Sequence, residues 1–189
     1  MNIGFCITGS FCTFKRILPI IKDLVSKGNA VFPIFSFSTA SLDTRFYKAA
    51  DFHRDVKEIT GNEPVATLAA AEPFGPSNML DIIIVAPCTG NTLAKLNNAI
   101  TDTPVLMAAK AHLRNNKPVL IGVSTNDGLS ANAKNIGELL NKKNIYFVPF
   151  SQDNPIEKTS SLVAHFELTE EAAVSAVKGV QLQPVLRGK

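Results

Sequence analysis

Five short segments concentrate hydroxyls, amides and glycine. They are Thr8-Gly9-Ser10, Ser36-Phe37-Ser38-Thr39, Pro87-Cys88-Thr89-Gly90-Asn91-Thr92, Ser124-Thr125-Asn126-Asp127-Gly128 and Phe150-Ser151-Gln152-Asp153. They lack a positive side chain. Such a set suits a phosphate held by backbone N–H groups, hydroxyls and helix N-termini, with no cation required. For any one segment the commoner role of these residues is turn formation and helix capping. The balance shifts toward a binding site because each segment follows an apolar run, so a fold that aligned those runs would gather them on one edge.

The pattern narrows the ligand. No G-x-G-x-x-G follows the first apolar run, where the chain reads Thr8-Gly9-Ser10-Phe11-Cys12, and the second run ends at Ser36 with no acidic residue for a ribose hydroxyl. NAD is therefore disfavoured as this chain's own cofactor. The absence of G-x-x-x-x-G-K-[ST] disfavours a nucleoside triphosphate. A mononucleotide such as FMN, which needs one phosphate cradle and a planar slot, stays compatible. Cys88 follows a central apolar run, but no neighbouring His or Lys lowers its pKa, so an inert buried thiol is the simpler reading. Lys95, Lys110, His112 and Arg114 could meet a dicarboxylate, although a solvated helix face or a subunit contact accounts for them as well.

The elements that must position these residues alternate. Residues 3–7 are continuously apolar; Phe14, Ile17, Leu18, Ile21, Leu24 and Val25 then recur at helical spacing, closed by Lys27-Gly28. Pro19 inside that pattern predicts a kink, or a helix that begins later than Phe11. Residues 30–35 read as a strand and 42–59 as a helix ending at Gly61. Residues 64–68 read as a short extended piece, 69–72 as one helical turn and 73–76 as irregular. Residues 81–86 are apolar without alternation, as expected of a strand covered on both faces. Helices over 89–98, 105–114 and 131–142, strands over 118–123 and 145–148, and a helix from Thr169 to Lys178-Gly179 complete the pattern. This alternation predicts an α/β fold: a three-layer, doubly wound parallel sheet of Rossmann-like or flavodoxin-like type, with helices on both faces. Ligands of such sheets bind beyond the carboxyl ends of the strands, where the five segments fall.

Composition bounds the rest. The 189 residues suit one domain, 1–189, with residues 180–189 a C-terminal tail of the kind that often docks on a neighbouring chain. A net charge of +3 without a dense basic block, no Trp and two Tyr give little support to nucleic-acid binding. Cys6, Cys12 and Cys88 cannot all pair, none lies in C-x-x-C, and there are three His, which argues against a structural metal and for a reducing cytoplasm. No apolar run approaches the roughly 20 residues of a membrane span, and the N-terminus has no basic lead into an apolar stretch. A soluble, unprocessed chain is expected.

Ile7-Thr8-Gly9-Ser10, together with Ala86-Pro87-Cys88-Thr89-Gly90-Asn91-Thr92-Leu93-Ala94-Lys95, resembles the FMN-binding flavoprotein family, which includes phosphopantothenoylcysteine decarboxylase and other cysteine decarboxylases. Within it the chain resembles the B subunits of dipicolinate synthase from spore-forming bacteria more closely than the decarboxylases. That likeness rests on residues 86–95 and 100–110, Ser124-Thr125-Asn126-Asp127-Gly128-Leu129, Tyr146-Phe147-Val148-Pro149-Phe150 and Glu72-Pro73-Phe74-Gly75-Pro76, and it spans nearly the whole chain. The resemblance implies that Gly9 and Ser10 cradle the FMN phosphate and that Ser36 or Ser38 adds a hydroxyl. Thr89, Asn91 and Thr92, beside Pro87, would hold the phosphate or flavin side. Where the decarboxylases carry P-x-M-N-x-x-M-W, this chain has residues 124–129, which puts their substrate clamp in doubt; Asn126, beside Ser124, matches the motif's Asn. His53 lies near the segment where those enzymes place a catalytic His, although a surface helix residue is the commoner role.

The resemblance implies conversion of a dihydrodipicolinate-type precursor to the aromatic pyridine dicarboxylate made in sporulation. It also implies a partner A subunit carrying NAD(P), a homo-oligomer (a trimer or a multiple of one), and a place in the mother-cell cytoplasm. A non-catalytic assembly subunit and a stand-alone FMN-dependent decarboxylase are the rival expectations.

Overall fold

The structure is a computed structural model, and it describes residues 1–188. Its elements run β1 (Asn2–Ile7), α1 (Phe14–Ser26), β2 (Ala30–Phe35), α2 (Phe37–Ser41), α3 (Ala49–Thr60), α4 (Leu68–Ala71), α5 (Phe74–Ser77) and β3 (Ile82–Cys88). They continue with α6 (Gly90–Asn97), α7 (Pro104–Arg114), β4 (Val119–Thr125), α8 (Ala133–Leu140), β5 (Ile145–Phe147), β6 (Phe150–Asn154), β7 (Lys158–Ala164) and α9 (Thr169–Val177). The parallel strands stand in the order β2-β1-β3-β4-β5. The doubly wound α/β sheet with flanking helices is the fold expected from the alternation.

The central strand explains itself. All seven residues of β3 are buried, so their apolar side chains face helices on both sides of the sheet. Gly4 lets the Leu80 side chain pass close to β1, since a Cβ there would come within 2.8 Å of it. On one face Phe52 of α3 stacks against Phe14 of α1 at 4.1 Å and against Phe35 of β2 at 5.6 Å, fixing α1 and α3 over the β1–β2 half.

Three local expectations are revised. The helix expected over 42–59 begins at residue 49: the Asp43 carboxylate accepts the Ala49 N–H, and Thr44 closes a turn onto Tyr47, so residues 42–48 bond to side chains instead of a helix ladder. The irregular stretch over 73–76 contributes to a short helix, α5, because Pro76 sits in its first turn, where no N–H is needed. The second of the two expectations for Pro19 holds: α1 starts later than Phe11, at Phe14 after a single tight turn over residues 11–13, with Pro19 inside it. The segment 150–153, read as a loop after the last strand, is strand β6. It forms an antiparallel hairpin with β7, and β7 pairs with Ser124 and Thr125 at the end of β4. The sheet is therefore mixed at this edge. Asn154 builds the hairpin turn, its side-chain oxygen accepting the N–H groups of Ile156 and Glu157 at 3.1 Å each.

Residues 181–187 lie against their own chain. The Phe150 N–H donates to the Val185 carbonyl at 2.9 Å, and Gln181 brackets Phe147 with two 2.8 Å hydrogen bonds.

Candidate functional site

Thr8 sets the floor of the site. It is buried at the end of β1; its hydroxyl donates to the Pro87 carbonyl at 2.7 Å and accepts the Thr89 N–H at 3.0 Å. The ends of β1 and β3 are thereby locked side by side, and the loops that follow them open together. Strand order reverses between these two strands, which is where a doubly wound sheet leaves a crevice.

The loops are shaped by hydroxyls and by two glycines. A Cβ on Gly9 would lie 2.8 Å from Ser38 Oγ. A Cβ on Gly90 would lie 2.4 Å from Asn132 Nδ2, 2.6 Å from Asp127 Oδ1 and 2.7 Å from Thr125 Oγ1. Ser10 Oγ and Ser124 Oγ share a hydrogen bond at 2.8 Å, joining the β1 loop to the end of β4. Thr89 caps α6, accepting the Thr92 N–H at 3.3 Å, and so aims the helix N-terminus at the crevice.

Above this floor lies a cleft of ≈ 700 Å³. Gly9 to Thr13 line it from the β1 side, Thr89 to Asn91 from the β3 side, and Ser124 to Asp127 from β4. The hairpin adds Asp153, Lys158 and residues 161–163, while Arg16 and Phe46 complete the wall. Of the residues singled out in the sequence, Gly9, Ser10, Thr89, Asn91, Ser124 and Asn126 come together here. The side-chain amides of Asn91 and Asn126 make no hydrogen bond among the described residues, so both are available to a ligand.

The other candidates lie off the lining. Pro87 sits behind it, its carbonyl held by Thr8. The Thr92 hydroxyl is 3.0 Å from that of Thr89, inside the first turn of α6. Ser36 caps α2, and its hydroxyl is 3.0 Å from those of Ser38 and Thr39. Cys88 is buried, and burial pushes its thiol up, away from the thiolate. His53 faces Glu63 at 3.0 Å and rests edge-on against Phe35. Lys95 pairs with Asp102 at 2.7 Å.

Sequence reasoning singled out Asp153 but passed over Arg16, Phe11, Phe46 and the β7 residues of the lining. Arg16 carried a signal: it lies seven residues beyond Gly9, near the start of the first helix. The hairpin was hidden by its polarity, since residues 151–161 show no apolar alternation.

The charges of the cleft are unevenly committed. Asp127 accepts from the Thr125 hydroxyl and from Asn132 Nδ2, the latter at 2.8 Å. Lys158 pairs with Asp153 at 2.7 Å. Arg16 stacks over the Phe166 ring at 5.3 Å and has no carboxylate partner among the described residues. The arrangement fits a mononucleotide: backbone N–H groups and hydroxyls for a phosphate at a floor where Gly9 and Gly90 leave no room for a Cβ, and a wider, partly aromatic space above. Among the described residues no helix is long and apolar enough to cross a membrane. Nor is there a group of three or more His, Cys, Asp or Glu that could hold a metal ion.

Comparison with known proteins agrees with the geometry. The B subunit of dipicolinate synthase from Bacillus subtilis (strain 168) is 46% identical over 185 residues, covering 98% of this chain and 92% of that protein. The crystal structure of the corresponding dipicolinate synthase chain from Bacillus halodurans superposes with a TM-score of 0.91 at 46% identity, each chain covered over 100% of its length. The FMN-dependent cysteine decarboxylase SpaF shares the fold at a TM-score of 0.69 and 17% identity, over 93% of this chain and 97% of its own. The model of the Flavoprotein family matches residues 1–179, and with a homologue of this identity and coverage the chain belongs to the Flavoprotein family.

Proposed function

We propose that this chain is the B component of a two-component dipicolinate synthase. With an NAD(P)-binding A component it converts a dihydrodipicolinate-type precursor to the pyridine dicarboxylate. The observation that carries the reading is the 46% identity to the Bacillus subtilis protein over 98% of the chain. The cleft adds chemical support. In this reading Gly9 and Ser10 hold an FMN phosphate with the N-terminus of α6, and Asn91, Ser124 and Asn126 contact the rest of the cofactor. Bound there, FMN supplies a two-electron acceptor. The chain's own residues bind and orient: the Ser10–Ser124 hydrogen bond fixes the floor, and the β6–β7 hairpin screens one side from water. The chain works as a homo-oligomer, a trimer or a multiple of one, in the mother-cell cytoplasm.

Two measurements test this. The purified chain is titrated with FMN and followed by its visible spectrum; a saturable shift supports the cofactor assignment. Dicarboxylate formation is then compared for the A component alone and for that component with this chain. Formation that needs both supports the proposal, and full-rate formation by the A component alone sinks it. If the mixture is active while FMN fails to titrate, the chain has the assembly role. Carbon dioxide release from a cysteinyl peptide would instead assign it to the decarboxylases.

A further inference from the structure

We infer that Arg16 is the carboxylate grip of the cleft and, with Lys158, forms a subsite for a small planar dicarboxylate. This rests on the functional reading above and names the residues that bind its substrate. Among the described residues the cleft lining contains two cations, Arg16 and Lys158, and two carboxylates, Asp127 and Asp153. Asp127 is committed to Thr125 and Asn132, and Lys158 is paired with Asp153 on the same hairpin. Arg16 alone of the four makes neither a hydrogen bond nor an ion pair among the described residues.

Its posture suits the task. The guanidinium carbon lies 5.3 Å from the centre of the buried Phe166 ring. Stacking of this kind covers one face of the guanidinium and restrains it, while the N–H donors in its plane stay free for a bidentate carboxylate. Phe11 and Phe46 line the same cleft and offer apolar faces to a flat ring. Lys158 lines the same cleft from the hairpin, and its salt bridge to Asp153 is exposed, so a second carboxylate can compete for it at small cost. The phosphate cradle at Gly9, Ser10 and Thr89 requires no side-chain cation, which leaves Arg16 for the substrate. Two carboxylates set across a ring would engage both cations, so a monocarboxylate is expected to bind more weakly.

The test uses the full chain saturated with FMN and pyridine-2,6-dicarboxylate as the probe, with binding read by calorimetry. Wild type is expected to bind the probe, and more tightly than it binds pyridine-2-carboxylate. Arg16→Met is expected to lose about ten- to hundredfold in affinity for the dicarboxylate, the scale of a charge-assisted hydrogen bond. Arg16→Lys should recover part of that loss. The FMN affinity of Arg16→Met, measured on the same protein, should stay within about twofold of wild type, which also reports that the variant is folded. If Arg16→Met binds the dicarboxylate as wild type does, the assignment of Arg16 falls while the functional reading stands. If Arg16→Met loses FMN instead, Arg16 belongs to the cofactor and the inference is overturned. If wild type takes FMN but no dicarboxylate, both the inference and the placement of substrate on this chain fall.

Discussion

At the residue scale, single polar atoms hold the site together. The Thr8 hydroxyl bridges two strand ends in a buried position, so Thr8→Val keeps the shape of the side chain but strands the Thr89 N–H. The expected loss is about 1–3 kcal/mol in urea unfolding, with weaker FMN binding as the loop loosens. An isosteric swap that left both unchanged would deny Thr8 this role. Gly90 makes the opposite point, since there the requirement is for absence of atoms. Gly90→Ala should cost about 1–3 kcal/mol, because the added methyl collides with the Asp127–Asn132 pair. The thiols give a simple check on the cleft: Cys12 is exposed at its lining while Cys6 and Cys88 are buried. A thiol reagent should modify one cysteine in the native protein and all three after denaturation, and saturating FMN should slow the native reaction. Thr89 and Gly9 were legible in the sequence because they follow apolar strands. The partnership of Thr8 with Pro87 was not, since it joins residues 79 apart in the chain.

At the scale of elements, α7 carries a titratable group in an unusual setting. His112 is buried, its Nε2 has no hydrogen-bond partner among the described residues, and burial with a contribution from Lys117 pushes its pKa from 6.5 down to about 4. Protonation thus favours the unfolded chain. The contribution of His112 to stability is complete above about pH 6.5 and is lost as pH falls toward about 4, at up to about 1.4 kcal/mol per unit. Comparing unfolding free energies of wild type and His112→Leu across that window cancels the carboxylates common to both. The difference should change with pH inside the window and stay flat above it; a constant difference would mean the imidazole titrates normally. Helix periodicity located α1, α6, α7, α8 and α9 because each has an apolar face to bury. It failed over 42–48 and 73–76, where side-chain turns and proline placement decided the backbone. It also missed the hairpin, whose polar residues pair through backbone atoms that no side-chain pattern reports.

For the whole molecule, 46% apolar content became one sheet with its crevice where strand order reverses, and that much was readable from the alternation of runs. Assembly was not. If the homo-oligomer proposed above is correct, light scattering should return a multiple of 20.3 kDa, and a monomer mass at micromolar concentration would contradict it. The edge of β4 has a broader consequence. Val119 to Ile121 pair with β5, while Ser124 and Thr125 pair with β7, so one strand edge serves two partners of opposite direction. The hairpin is joined to β4 by two residue pairs, whereas β3 is buried along its whole length. Local opening of β6–β7 can therefore occur without global unfolding. A ligand that touches both the floor and residues 161–163 must raise the free energy of that opening, by about 2.7 kcal/mol at a hundredfold excess over its Kd. Amide exchange in β6 and β7 should then be faster than in β3 and slow by about a hundredfold on saturation, making the hairpin a reporter of cleft occupancy through backbone protons alone.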